Sequence, residues 1–127
     1  MKSLSILLAS FAISLAIRIS EYYPEGNTVS IGVGEILKLS CLPNVQWDEC
    51  EFRFTNGSNG KICQKYWNRD DVVKKCNGGI GKMYQKEGLC SFEIEDVKFE
   101  DAGSWTCKMT DNNENSVTHT FDVKVEN

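Results

Sequence analysis

Apolar and polar side chains alternate with a period of two through most of the chain beyond residue 35. From Ile36 to Leu42, Leu37, Leu39 and Cys41 fall on one side and Lys38 and Ser40 on the other. The same alternation sets Cys50, Phe52 and Phe54 against Glu51 and Arg53. It sets Cys90, Phe92 and Ile94 against Ser91, Glu93 and Glu95, and Trp105, Cys107 and Met109 against Ser104, Thr106 and Lys108. A last run puts Phe121, Val123 and Val125 on one face. Period two is the signature of a strand with one buried face, and no segment sustains a helical period. Residues 61–67 predict a shorter strand, and 81–85 a weak edge strand. Asn56-Gly57, Asn59-Gly60 and Asn77-Gly78-Gly79 read as turns, and Asp111 to Asn115 as a polar tip. Several short strands, each with one polar face, imply an all-β sandwich of two antiparallel sheets packed face to face. Residues 29–125 form that single domain in this reading, and residues 17–28, with Tyr22, Tyr23 and Pro24, form an N-terminal leader.

The first residues have a different character. Met1-Lys2 gives a positive start, Leu4 to Ile17 is uncharged and made of apolar and small residues, and Ser14-Leu15-Ala16 offers small residues where a signal peptidase reads. Residues 1–16 therefore predict a secretory signal peptide cut after Ala16. A membrane anchor is the competing reading, but the run falls short of the ~20 residues a bilayer requires. No membrane insertion and no lipid anchor are expected of the mature chain. Secretion gives meaning to six cysteines in 127 residues, because thiols pair in the oxidising secretory route. Zinc is the alternative, yet there is no Cys-x-x-Cys spacing and a single histidine, His119. With 14 basic and 18 acidic residues interspersed along the chain, no basic stripe exists to collect phosphates, and nucleic acid is not an expected partner.

One stretch is more specific than the alternation. Asp101-Ala102-Gly103-Ser104-Trp105-Thr106-Cys107 resembles the immunoglobulin pattern Asp-x-Gly-x-Tyr-x-Cys, and Leu37-Lys38-Leu39-Ser40-Cys41 resembles its earlier Leu-x-Leu-x-Cys partner. The resemblance implies a V-set- or I-set-like immunoglobulin sandwich. Gly103 would permit the sharp turn into the strand, and Trp105 would stand at the tyrosine-corner position. Asp101 would pair with a basic residue opening strand D, for which Lys82 is the candidate. Phe52 would take the place of the core tryptophan on strand C, while Trp47, too early for that place, would cap the loop end of the sandwich. The spacing of Trp47, Cys50, Cys63, Trp67, Cys76 and Cys90 further resembles a group of arthropod secreted or cell-surface immunoglobulin-like domains with extra disulfides.

The resemblance implies a Cys41–Cys107 bond between the sheets. Fifteen connectivities of six cysteines then reduce to three. Within that frame strands C and E begin at the same end, with Cys50 and Cys90 both facing inward, which points to Cys50–Cys90 and leaves Cys63–Cys76.

No catalytic constellation is legible. His119 lies on the last strand with no nucleophile motif beside it and reads as structural, and no cofactor is implied. The chain therefore reads as a secreted protein-recognition module with an extracellular protein or glycan partner, in an adhesion, decoy or immune-type role. A compact secreted effector or inhibitor, or one domain of a truncated cell-surface receptor, is the alternative. Asn56-Gly57-Ser58 is an N-glycosylation sequon. Tyr66 and Trp67 are candidate binding anchors, with shielding of the Cys63–Cys76 bridge as their plainer role. Asn112 and Asn113, on a polar and mobile tip, are candidate contacts, with simple solvation the plainer reading.

Overall fold

A computed structural model describes residues 16–55, 62–67, 76 and 81–127. The expected signal segment, apart from Ala16, lies outside the described residues, as does the Asn56 sequon. Nine strands are described: β1 (Ile19–Tyr23), β2 (Thr28–Gly32), β3 (Leu37–Pro43), β4 (Glu49–Phe54), β5 (Ile62–Tyr66), β6 (Lys82–Lys86), β7 (Leu89–Ile94), β8 (Gly103–Thr110) and β9 (Ser116–Glu126). One sheet has the order β1-β3-β7-β6 and the other β2-β9-β8-β4-β5.

The chain fills the space between the sheets with the residues its alternation marks. Leu37 and Leu39 of β3 and Phe92 of β7 face Phe52 of β4, Trp105 and Met109 of β8, and Phe121 of β9; all are essentially inaccessible to solvent. Phe92 is the junction, with its ring 5.3 Å from Phe52 and 4.9 Å from Trp105. Burying each such side chain contributes about 1.5–3 kcal/mol, so the interleaved aromatic layer is a principal source of cohesion. Cys41–Cys107 spans the sheets with a Cα separation of 6.8 Å, and Cys50–Cys90 spans them again at 6.5 Å, one bridge from each pair of adjoining strands. Cys63 of β5 is bonded to Cys76, with a Cα separation of 4.6 Å.

Two features depart from the expectation. The segment read as a leader contains β1, which pairs antiparallel with β3, Tyr22 lying opposite Cys41. A register shift between Ile19 and Glu21 interrupts β1, so its two half-buried residues, Ile19 and Tyr22, are three apart rather than two. The bulge erases the alternation by which a strand is recognised. The second sheet is also mixed, because β2 runs parallel to β9. The chain leaves the first sheet at Pro24, which has no N–H to continue a ladder, and β2 then joins the edge of the other sheet.

Local chemistry fixes the remaining turns. β6 and β7 are joined by Glu87-Gly88, both with positive φ, 52° and 82°; two such residues make the tight hairpin turn whose twist matches the strands. At the start of β6, Gly81 has φ +83°, and a Cβ there would lie 2.7 Å from Phe92 Cε1 and 2.9 Å from the Glu93 carbonyl oxygen. Only glycine fits this approach.

Candidate functional site

The turn before β8 is a short 3₁₀ segment, Phe99–Asp101. The backbone N–H of Lys98 donates to Asp101 Oδ2 at 2.8 Å, and Trp105 Nε1 donates to the Asp101 carbonyl at 3.0 Å. Trp105 thus ties its strand to the turn behind it with the one donor that indole has. Gly103, with φ 142°, sits between them in backbone that other residues rarely adopt. Lys82 does not reach Asp101. It lies opposite Glu93 on the outward face of its hairpin, with Nζ 3.7 Å from Glu93 and 3.6 Å from Glu95. Strand parity explains the difference: Met83, not Lys82, turns inward from β6. Asp101 Oδ1 is buried with no hydrogen-bond partner among the described residues. Phe52 occupies the centre of the core opposite Cys107.

His119 faces inward. Its ring stacks on Tyr22 at 3.8 Å and meets the edge of Phe121 at 4.7 Å. Burial lowers its pKa from the ordinary value. These contacts fasten β1 to the opposite sheet. Among the described residues no group of three or more His, Cys, Asp or Glu is arranged to hold a metal ion.

The surface with the most recognition chemistry is the end where β3 passes to β4 and β8 to β9. Asp111 organises it. Its Oδ1 accepts the backbone N–H groups of Asn113 at 2.9 Å and Asn115 at 3.0 Å, and its backbone N–H donates to the Asn115 carbonyl at 2.9 Å. The tip read from sequence as mobile is therefore pinned from inside by a buried carboxylate, a local side-chain-to-backbone device typical of Asp. The β3–β4 segment lies alongside. Asp48 N–H donates to the Thr110 carbonyl at 2.7 Å, and the Asp48 carbonyl accepts Trp67 N–H at 2.9 Å. Trp47 is buried beneath, its Nε1 donating to the Gly88 carbonyl at 2.9 Å. Trp67 meets it edge to face at 5.0 Å.

A cleft of about 390 Å³ opens here between Val45, Gln46 and Asp48 on one side and Asn112 and Asn113 on the other. Of the residues singled out from sequence, Asn112 and Asn113 line this cleft and Trp67 supports its tryptophan floor. Tyr66 stands apart on the outward sheet face, exposed, opposite Glu49. Sequence reasoning missed Val45, Gln46, Asp48 and the bracing role of Asp111. The only signal was an aspartate followed at two and four residues by asparagines.

A family model, the immunoglobulin V-set domain, matches residues 25–126. Among solved structures, the chain resembles that of the RIG-5 IG1 homodimer, with TM-score 0.57, 14% identity, and coverage of 88% of this chain and 99% of that one. It also resembles a chain from a structure concerning T cell specificity and activation by the bacterial superantigen toxic shock syndrome toxin-1, with TM-score 0.63, 12% identity, and coverage of 87% and 100%. At these identities the likeness is one of fold. No curated protein matches. The two sheets, the bond between them and the span of the family match together place this chain in the immunoglobulin V-set family.

Proposed function

We propose that the chain is a secreted, non-catalytic recognition module that grips an extracellular protein with the cleft between its β3–β4 segment and its β8–β9 tip. The observation that carries this is the bracing of the tip by Asp111 beside a tryptophan-floored cleft. An ordered tip loses little freedom on binding, so more of the contact energy appears as affinity. Trp67, half-buried against the tryptophan floor, adds the aromatic surface that interface centres favour. Membership of the V-set family supports a protein-binding role, and three disulfides fit an oxidising compartment. Cleavage after Ala16 would sacrifice one bond to the fold, from Asn44 Nδ2 to the Ala16 carbonyl. It would leave the Arg18–Asn44 pair and β1 in place.

The test is capture from extracellular material with the purified, oxidised domain, including a second copy of the chain among the partners tried. Asn113→Arg, placed on the exposed tip, should abolish capture without altering the melting temperature. Ile36→Ser, on the opposite end, should leave capture unchanged. Capture that survives Asn113→Arg and Trp67→Ala would refute this assignment of the surface. Recovery of the secreted chain with Ile17 as its first residue is the expected outcome of N-terminal sequencing.

A further inference from the structure

The outward face of the four-stranded sheet carries a second cleft, which shares no lining residue with the first. Its floor is Ser40 of β3 and Ser91 of β7, which lie opposite one another in register. Parity turns both away from the core, since their neighbours Leu39, Cys41, Cys90 and Phe92 point into it. Yet the two serines are only 4% and 2% exposed. They are short side chains between tall ones, with Tyr23 and Pro24 rising on one side and Tyr84 on the other. The enclosed volume is about 330 Å³, at the small end of the ~300–1,000 Å³ range of ligand sites.

The chemistry of this cleft is selective. Ser40 Oγ and Ser91 Oγ are hydrogen-bonded at 2.8 Å. Two hydroxyls carry two hydrogens and the mutual bond uses one, so a donor and several lone pairs remain on the floor. Lys38 and Lys86 are the charged residues of the lining, and no carboxylate belongs to it, in a chain where acids outnumber bases 18 to 14. Two carboxylates hold the tyrosine walls from outside the lining, and Glu93 also lies opposite Lys38 in register. Glu93 accepts the Tyr84 hydroxyl at 3.1 Å and pairs with Lys82 at 3.7 Å, and Glu21 accepts the Tyr23 hydroxyl at 3.0 Å. Lys38 Nζ lies 5.4 Å from the centre of the Tyr84 ring.

We propose that this cleft binds a carboxylated pyranose, the acidic terminal sugar of a glycan. Each part of such a ring has a counterpart. Its C–H face packs against a tyrosine wall, its hydroxyls exchange hydrogen bonds with the serine floor, and its carboxylate meets the lysines in charge-assisted bonds. An aryl or lipid group would leave the remaining serine donor without an acceptor, which costs free energy. A neutral sugar would bring no charge to meet Lys86 at the mouth of the cleft.

The experiment is a titration of the oxidised, ¹⁵N-labelled domain, read from backbone amide shifts. The probes are glucuronic acid, N-acetylneuraminic acid, galactose and benzoate. At least one acidic sugar should produce saturable shifts confined to β3, β6, β7 and the end of β1 at Tyr23, with galactose about tenfold weaker or more, the scale of one lost charged contact. Lys86→Gln, an exposed substitution at a turn, should weaken the acidic sugar by a similar factor while leaving the melting temperature unchanged. Asn113→Arg should leave it unaffected, which separates this site from the loop end. The proposal is overturned if neither acidic sugar saturates at these strands, if galactose binds equally, if benzoate binds more tightly than both acids, or if Lys86→Gln has no effect.

Discussion

Replacing Trp105 with phenylalanine isolates the bond that closes the turn before β8. Trp105 and Asp101 are both buried, at 1% and 2% exposure, and the indole N–H donates to the Asp101 carbonyl at 3.0 Å. Phenylalanine keeps an aromatic ring near Phe54 and Phe92, whose centroids lie 4.6 and 4.9 Å from the indole. It removes the donor and part of the volume. The stranded carbonyl costs about 1–3 kcal/mol, because water cannot reach it to replace the lost partner. The lost burial and residual void add about 1–2 kcal/mol. The sum, about 2–5 kcal/mol, is a large share of the ~5–15 kcal/mol by which a domain of this kind is stable. Guanidinium unfolding of the oxidised protein, followed by circular dichroism and by the fluorescence of Trp47 and Trp67, measures it. The midpoint should fall while the slope stays constant, since the same surface is exposed on unfolding. A loss below ~1 kcal/mol would show that the other hydrogen bonds of the turn suffice to hold it and would refute the role given to the indole.

Gly81→Ala forces a side chain into positive φ and against Phe92 and the Glu93 carbonyl; a cost of about 1–3 kcal/mol or more is expected in the same unfolding assay. Removing the second bridge in Cys50→Ala/Cys90→Ala releases a loop with a sequence separation of 40, for which the chain-entropy account gives about 4 kcal/mol. A midpoint shift equivalent to less than ~1 kcal/mol would contradict that account. His119, with its pKa lowered by burial, is neutral in the fold. The unfolded chain binds a proton first as pH falls through about 6.5, so His119's contribution is full above that pH. It declines from there down to the lower folded pKa. Proton NMR titration of the imidazole checks this, and a midpoint at or above 6.5 would refute it.

What the sequence discloses follows from how regular each element is. β3, β4, β7, β8 and β9 announce themselves because one face of each is buried without interruption, and period two survives intact. That parity also suffices to see that Cys50 and Cys90 share a face and an end. β1 is illegible because its bulge places Ile19 and Tyr22 out of phase. The parallel pairing of β2 is illegible because nothing in Thr28 to Gly32 encodes the direction of its neighbour. Lys82 is misassigned to Asp101 by its place in a pattern, whereas its position one residue before the inward Met83 turns it toward Glu93. At the loop end, Trp67, Asn112 and Asn113 are visible as residue types suited to contact. Trp47 is visible as a cap of that end, but Val45, Gln46 and Asp48 are not, because only the antiparallel pairing of β4 with β8 brings them beside residue 111. Ser40 and Ser91 are hidden for the opposite reason: polar residues at polar positions give no hint that tall neighbours bury them.

The placement of the second bridge connects stability to the proposed surface. Cys50 follows Asp48 by two residues, and Cys90 follows Gly88 by two. Asp48 anchors the β3–β4 segment to Thr110, and Gly88 receives the indole hydrogen of Trp47. The bridge therefore closes directly beneath the cleft. Through Asp48 and Gly88 it links two supports, the start of β4 and the hairpin turn between β6 and β7, that belong to opposite sheets. Without it, Trp47 would span two layers joined covalently only at Cys41–Cys107 and at the strand connections. A domain held by the central bond alone leaves its loop end free to splay, because sheet-to-sheet packing resists sliding less than a covalent link does. Adding a covalent link at that end, and pinning the facing tip through Asp111, confines both walls of the cleft before any partner arrives. Rigid walls raise affinity by lowering the entropy lost on binding. On this argument the second disulfide serves recognition as much as folding, whereas Cys63–Cys76, out at the β5 edge, has no such connection to the cleft.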